Sequence, residues 1–350
     1  MKKNLTKKKL LPGNSSVFVL VTLAYIAMLA LDSMGMLKSS LKGQLIPICS
    51  YIVLAVSLNL VVGISGELSL GHAGFMGVGA FTGVVVATAL APMIENEVIR
   101  LLVAMIFGGV LSGIAGALIG IPVLRLRGDY LAIVTLAFGE ILKNIIGNLY
   151  IGLDGNGLHF TFNQEKLVMD ETGKVLLGGP MGASGVDKIS TFTMGFVLIL
   201  FTLVVVLNLI NSKEGRAIMA IRDNRIAAES VGLNVFEFKM KAFVVSSFLA
   251  GMAGALYGLN YSAVQASKFN FNTSINILVF VVLGGMGNIT GSVISATVLY
   301  ILPEMLRSLY DFRMIMYAIV LIVVMLFTWS PQAKNFIQAI GIRKRKEAED

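Results

Sequence analysis

The chain has 350 residues, of which 56% are apolar and only 14% charged, and its mean hydropathy is +0.83. Soluble domains carry roughly 25% charged residues, so this excess of apolar surface cannot all enter a core and the surplus faces lipid. A formal charge of +8 would suggest nucleic acid for a soluble chain, but here the basic residues flank apolar runs and act as topology signals, while the lone Cys49 and the two histidines, His72 and His159, leave no disulfide framework and little for metal chemistry.

The first 16 residues, MKKNLTKKKLLPGNSS, are basic and resemble the start of a signal peptide. The apolar run behind them is about spanning length and shows no small-residue cleavage site, so it predicts an uncleaved first helix. A bilayer core of about 30 Å needs roughly 20 apolar residues as helix. That length predicts spans near 17–37, 45–63, 67–90, 98–122, 130–150, 191–210 and 241–262. Asp32 falls late in the first span, near an interface, where it is solvated. The third span is glycine-rich, "GISGELSLGHAGFMGVGAFTG" at 63–83, and small residues let membrane helices approach closely. Within it Gly71, Gly74 and Gly77 are candidate packing positions, and Glu67 and His72 candidate pathway groups. An ionisable group in a span usually faces protein interior or a water-filled cavity, and a glycine-broken helix would free backbone groups there. At the fifth span Asp129 is expected to cap the helix start. Glu140 and Lys143, three apart on that helix, are expected to pair.

Two hydrophilic connections follow. Residues 151–190 hold glycine-rich turns, "GLDGNGLHF" and "LGGPMGASGV". Residues 211–240 contain "EGRAIMAIRDNRIAAESVGLN" at 214–234, a proline-free run of good helix formers between Gly215 and Gly232. Ala217, Ile218, Ile221 and Ala228 recur at helical spacing, with Arg225 interrupting the stripe. Arg216, Arg222, Asp223, Arg225 and Glu229 keep the rest wet. A helix this short is marginal alone in water and needs something to pack on. That something is either the lipid headgroups or a groove on a cytoplasmic partner.

The apolar stretch 273–303 would reach about 46 Å as one helix, too long for a simple crossing. The interruption GGMGNITG, between Gly284 and Gly291, predicts a turn back, as two short spans or a re-entrant element. A last span falls near 313–329, followed by a basic tail at 331–350. Counting 273–303 as two crossings gives about ten segments and a transmembrane domain at 17–330. With the N-terminus in the cytoplasm, most of the 28 basic residues then lie inside, including both termini and the 211–240 loop, and 151–190 lies outside. The expected fold class is an all-α polytopic membrane protein.

Three stretches carry a family resemblance: "GELSLGHAGFMGVGAF" at 66–81, "RGDYLAIVTLAFGEIL" at 127–142, and 214–234 with the helix behind it. In order and spacing they resemble LivM-type permeases, subunits of ABC importers for branched-chain amino acids. The resemblance implies that Glu214, Gly215, Arg216, Arg222, Asp223, Arg225, Glu229 and Gly232 belong to a coupling helix seated on an ATP-binding subunit. It further implies two such subunits, a second homologous permease, an external solute-binding protein, and uptake of leucine, isoleucine and valine across a prokaryotic cell membrane. No G-x-x-x-x-G-K-[ST] occurs, so the sequence has no P-loop, binds no cofactor by this reading and leaves ATP to partners. An ion-coupled amino-acid carrier is the alternative. It would need carboxylates at the membrane midplane, and only Glu67 and Glu140 offer themselves. No nucleophile elbow G-x-S-x-G and no H-E-x-x-H supports an intramembrane enzyme.

Overall fold

The computed structural model describes residues 14–306 apart from 36–38, 127, 155–156 and 164–172, together with 315–316, 318–319 and 321–322. The helices are α1 (Asn14–Ser33), α2 (Ser39–Asn59), α3 (His72–Ala89), α4 (Glu97–Val123), α5 (Asp129–Gly147), α6 (Phe192–Asn211), α7 (Lys213–Asp223), α8 (Arg225–Ser230), α9 (Val235–Gly258), α10 (Phe271–Gly284) and α11 (Ile289–Met305). Among the described residues, seven helices are long and apolar enough to cross a membrane, and α10 and α11 are shorter apolar helices. The expected span near 313–329 and both basic termini lie largely or wholly outside the described residues.

The packing centre is α9, held between α3 and α4. Glycine makes this possible, because backbones meet where a side chain would stand. A Cβ on Gly79 of α3 would strike the backbone of Gly251, and one on Gly251 of α9 would strike Gly108 and Ser112 of α4. Gly254 meets the Met76 carbonyl in the same way. Ser112 Oγ lies 3.1 Å from the Phe75 carbonyl and 2.8 Å from that of Ser247, and so ties the three helices by hydrogen bonding. Outward, α4 shows only apolar groups along its middle, among them Ile106, Phe107, Val110, Ile114 and Leu118, as a lipid-facing helix should.

The long stretch 273–303 does turn back. Gly285 and Gly287, at φ +91° and +81°, make the turn, and Asn288 caps α11 through the Gly291 amide at 3.2 Å. Gly284 and Gly291 touch, so α10 and α11 form a tight helical hairpin.

Three expectations change. The fold is not all-α: β1 (Tyr150–Asp154), β2 (Gly157–Thr161), β3 (Lys174–Gly178), β4 (Ala183–Ser184) and β5 (Ala263–Val264) form one antiparallel sheet in the order β2-β1-β3-β4-β5. The strands are two to five residues long. β5 lies beyond α9, so the sheet stitches the α5–α6 connection to the α9–α10 connection. Local pattern could not show that pairing. The third span begins at His72 rather than near 67, because residues 65–71 are not helical. Finally, Gly128, at φ +57°, rather than Asp129, occupies the cap of α5, with no side-chain cap bond; Asp129 sits in the first turn, where its charge still favours the helix dipole.

Candidate functional site

The site grows from the end of α2. There the helix widens into a π-helical turn, Leu60–Ile64, and then breaks. Gly66, at φ +75°, reverses the chain, and residues 67–71 run back alongside α2. His72 therefore meets Ser57, with Nε2 and Oγ 2.8 Å apart, and is only 2% exposed. Ser57 lies seven residues before the end of the π-turn, so the returning segment climbs about 10 Å before α3 starts. Within it the Glu67 amide donates to the Val61 carbonyl at 3.1 Å and the Leu70 amide to Thr135 Oγ1 at 3.0 Å, and at the start of α3 the Ala73 amide donates to Ser274 Oγ at 3.0 Å. Such irregular backbone is tolerated at membrane depth only where protein encloses it.

The same break receives the α10–α11 turn. Asn59 Oδ1 accepts from the Gly287 amide at 2.8 Å, and its Nδ2 donates to Ser292 Oγ at 2.8 Å. Gly63 has no room for a side chain against Asn59 and Gly287. Gly71 and Gly74 lie against the α5 backbone, at Thr135 and Gly139, while Gly77 lies under the Phe269 ring. All three expected packing glycines thus make close contacts.

Below the break sit α7 and α8. Ser212 caps α7 by accepting from the Gly215 amide at 3.1 Å, and Gly215 abuts the carbonyls of Leu209 and Ile210, where any Cβ would clash. The expected single helix is broken at Asn224, which caps α8 through the Ala227 amide at 3.0 Å. Ile218, Ile221 and Ala228 turn inward and are buried. Gly232 ends the segment at φ +87° with open space around it, so its role is conformational.

The charged residues divide into two groups. Arg222 Nη1 donates to the Gly63 carbonyl at 2.9 Å, its Nη2 to Asp223 at 2.8 Å, and its stem lies on Gly66. Glu214 pairs with Lys241 of α9 at 2.9 Å, and Glu67 pairs with Lys239 of α9. These groups clasp α7 to the α2–α3 break and to α9. Arg216 donates to the Asn211 carbonyl at 2.9 Å, and Arg225 pairs with Glu229 at 2.8 Å within α8. Sequence reasoning missed the most exposed apolar groups of the segment, Ile226 at 80% and Val231 at 76%. The signal was Asn224, whose capping character breaks the helix and turns Ile226 off the buried stripe. Glu140 does pair with Lys143, and it also accepts from the Phe271 amide at 2.9 Å at the start of α10. Among the described residues no group of three His, Cys, Asp or Glu could hold a metal ion.

Glu67 and Lys239 are 13% and 10% exposed, and removing one member of a largely buried pair costs about 3 kcal/mol. Lys239→Glu is therefore expected to lower the melting temperature of the purified protein and to lose transport. Exchanging both charges, as Glu67→Lys with Lys239→Glu, is expected to restore a large part of each. Equal damage from single and double variants would show that the pair does not join the break to α9.

Membrane-length helices, one of them interrupted, and a short amphipathic helix clasped to the interruption fit a transport permease. A family model described as "Branched-chain amino acid transport system / permease component" matches residues 40–328, and the chain belongs to that family. It is 34% identical over 292 residues to the high-affinity branched-chain amino acid transport system permease protein LivM of Salmonella typhimurium, covering 81% of this chain and 67% of that one. The LivM protein of Escherichia coli is 33% identical with the same coverage. The L-arabinose ABC transporter permease protein AraH of Azospirillum brasilense is 29% identical over 283 residues, 80% of this chain and 74% of that one. No solved structure matches. The protein is thus a multi-pass membrane permease of the ABC-importer kind.

Proposed function

We propose that the chain imports branched-chain amino acids, leucine, isoleucine and valine, as one membrane half of an ABC importer. The observation that carries the reading is the clasp: α7 grips the α2–α3 break through Arg222 and grips α9 through Glu214 and Lys241. A push on α7–α8 is thereby delivered to the segment leading to His72. The α7–α8 segment faces the cytoplasm, where most basic residues gather, and the sheet faces outside. About ten crossings put both termini inside. Two ATP-binding subunits work the clasp, a second homologous permease completes the pore, and an external binding protein delivers the solute. The amino-acid assignment is supported by the LivM relatives at 33–34% identity, against 29% for the arabinose permease.

Two measurements test this. Radiolabelled leucine uptake by the complete transporter, competed by isoleucine and valine but not by arabinose or ribose, is the expected result; competition by a sugar alone would move the substrate to that class. In the same assay Arg222→Glu with Arg225→Glu removes the bond to Gly63 and is expected to abolish uptake while the spans still insert. Normal uptake by that double variant would count against the clasp.

A further inference from the structure

We propose that Asn272 and Asn276 of α10, beside Glu140, Lys143 and Asn144 of α5, form the wall of the solute passage at mid-membrane depth. The inference rests on the permease reading and deepens it by naming the lining.

The depth follows from internal contacts. The α10–α11 turn lies against Gly63, at the end of α2 where α7 docks. Asn272 and Asn276 precede Gly284, the last residue of α10, by 12 and 8 residues, or about 18 and 12 Å along the helix. A hydrocarbon core of about 30 Å has its midplane about 15 Å in, so the two amides bracket it. The start of α10 confirms the level: the Phe271 amide is held by Glu140, 11 residues into α5, and Ser274 is held to the start of α3.

Both asparagines are exposed, and so is Asn144, with Glu140 and Lys143 partly so. This is the wrong chemistry for lipid. The exposed middle of α4 carries apolar groups throughout, whereas this face sets amides and an ion pair among apolar neighbours such as Ile141 and Ile145. Polar groups at the midplane belong on protein interior or a water-filled cavity. Asn272 and Asn276, four apart, share one helix face. Each amide offers a carbonyl oxygen to accept from an ammonium and an NH2 to donate to a carboxylate. The face therefore suits a small zwitterion in water, with the second permease as the opposite wall.

The test uses the complete transporter in membranes, on a Cys49→Ala background that removes the one native thiol. Asn272→Cys and Asn276→Cys are treated with a charged, membrane-impermeant methanethiosulfonate, with Leu118→Cys on α4 as the lipid-facing comparison. Both α10 cysteines are expected to react at least tenfold faster than the α4 cysteine, and reaction is expected to cut uptake at least fivefold. Reactivity no greater than that of Leu118→Cys, with and without ATP, would overturn the proposal, as would full modification without loss of uptake. Should the cysteine variants be inactive from the outset, differential labelling alone decides. If the Cys49→Ala transporter imports a sugar rather than leucine, the substrate assignment fails while the labelling still decides the wall.

Discussion

Gly251→Leu yields no stable, membrane-inserted protein. Gly251 lies where α3, α4 and α9 converge, and even one added carbon would strike Gly108 and Ser112. The obstacle is backbone on one side and a fully buried serine on the other, so no flexible side chain can give way. Overpacking a close-fitting core costs about 1–3 kcal/mol when neighbours can shift, and more when they cannot. Gly113→Ala is the matched comparison. Its new Cβ would stand 3.5 Å from Phe248, an ordinary contact, and alanine is the better helix former. Thermal unfolding in detergent is expected to place Gly113→Ala within about 1 kcal/mol of the parent. Gly251→Leu should be recovered only as aggregate or not at all. A Gly251→Leu protein with the parent's yield and melting temperature would mean that the seam is looser than its geometry indicates.

Ile226→Asp keeps the fold and loses transport. Ile226 is 80% exposed and touches no core, so a carboxylate there costs the isolated subunit little. An isoleucine that exposed on a polar helix suits the proposed groove on an ATP-binding subunit, and buried anchors of this kind carry most of the energy of an interface. Placing a charge in that groove is expected to weaken coupling by more than tenfold, read as leucine uptake at unchanged expression, with Val231→Asp showing a smaller loss. Uptake at the parent level in both variants would show that the partner grips another surface. The contrast with Gly251→Leu separates the two kinds of damage, since one removes the protein and the other only its response to ATP.

The fold was legible wherever one physical signal dominated. Apolar length located the spans, and the glycines at Gly284 and Gly291 announced the α10–α11 hairpin. The α7 segment was legible from its charge and its inward stripe of Ile218 and Ile221. What stayed hidden depends on contacts between distant residues. β5 pairs with β4 across the whole of α6 to α9. Residues 65–71 sit between apolar runs and could continue a span, and the bonds from Leu70 to Thr135 and from Ala73 to Ser274 help hold them in an extended path instead. The charged residues of α7 face both ways. Glu214 and Arg222 bond to their own chain, while Asp223 and Glu229 stay exposed beside Ile226 and Val231.

The central claim is that α7–α8 is the handle through which ATP hydrolysis elsewhere moves the α2–α3 break. The most direct measurement places a photo-crosslinking amino acid at position 226 in the transporter as it stands in the cell membrane. The account predicts a crosslink to an ATP-binding subunit from the cytoplasmic side, and none from position 118 on the outer face of α4. A product with an extracellular protein, or no product at 226 while the transporter is importing, would contradict it.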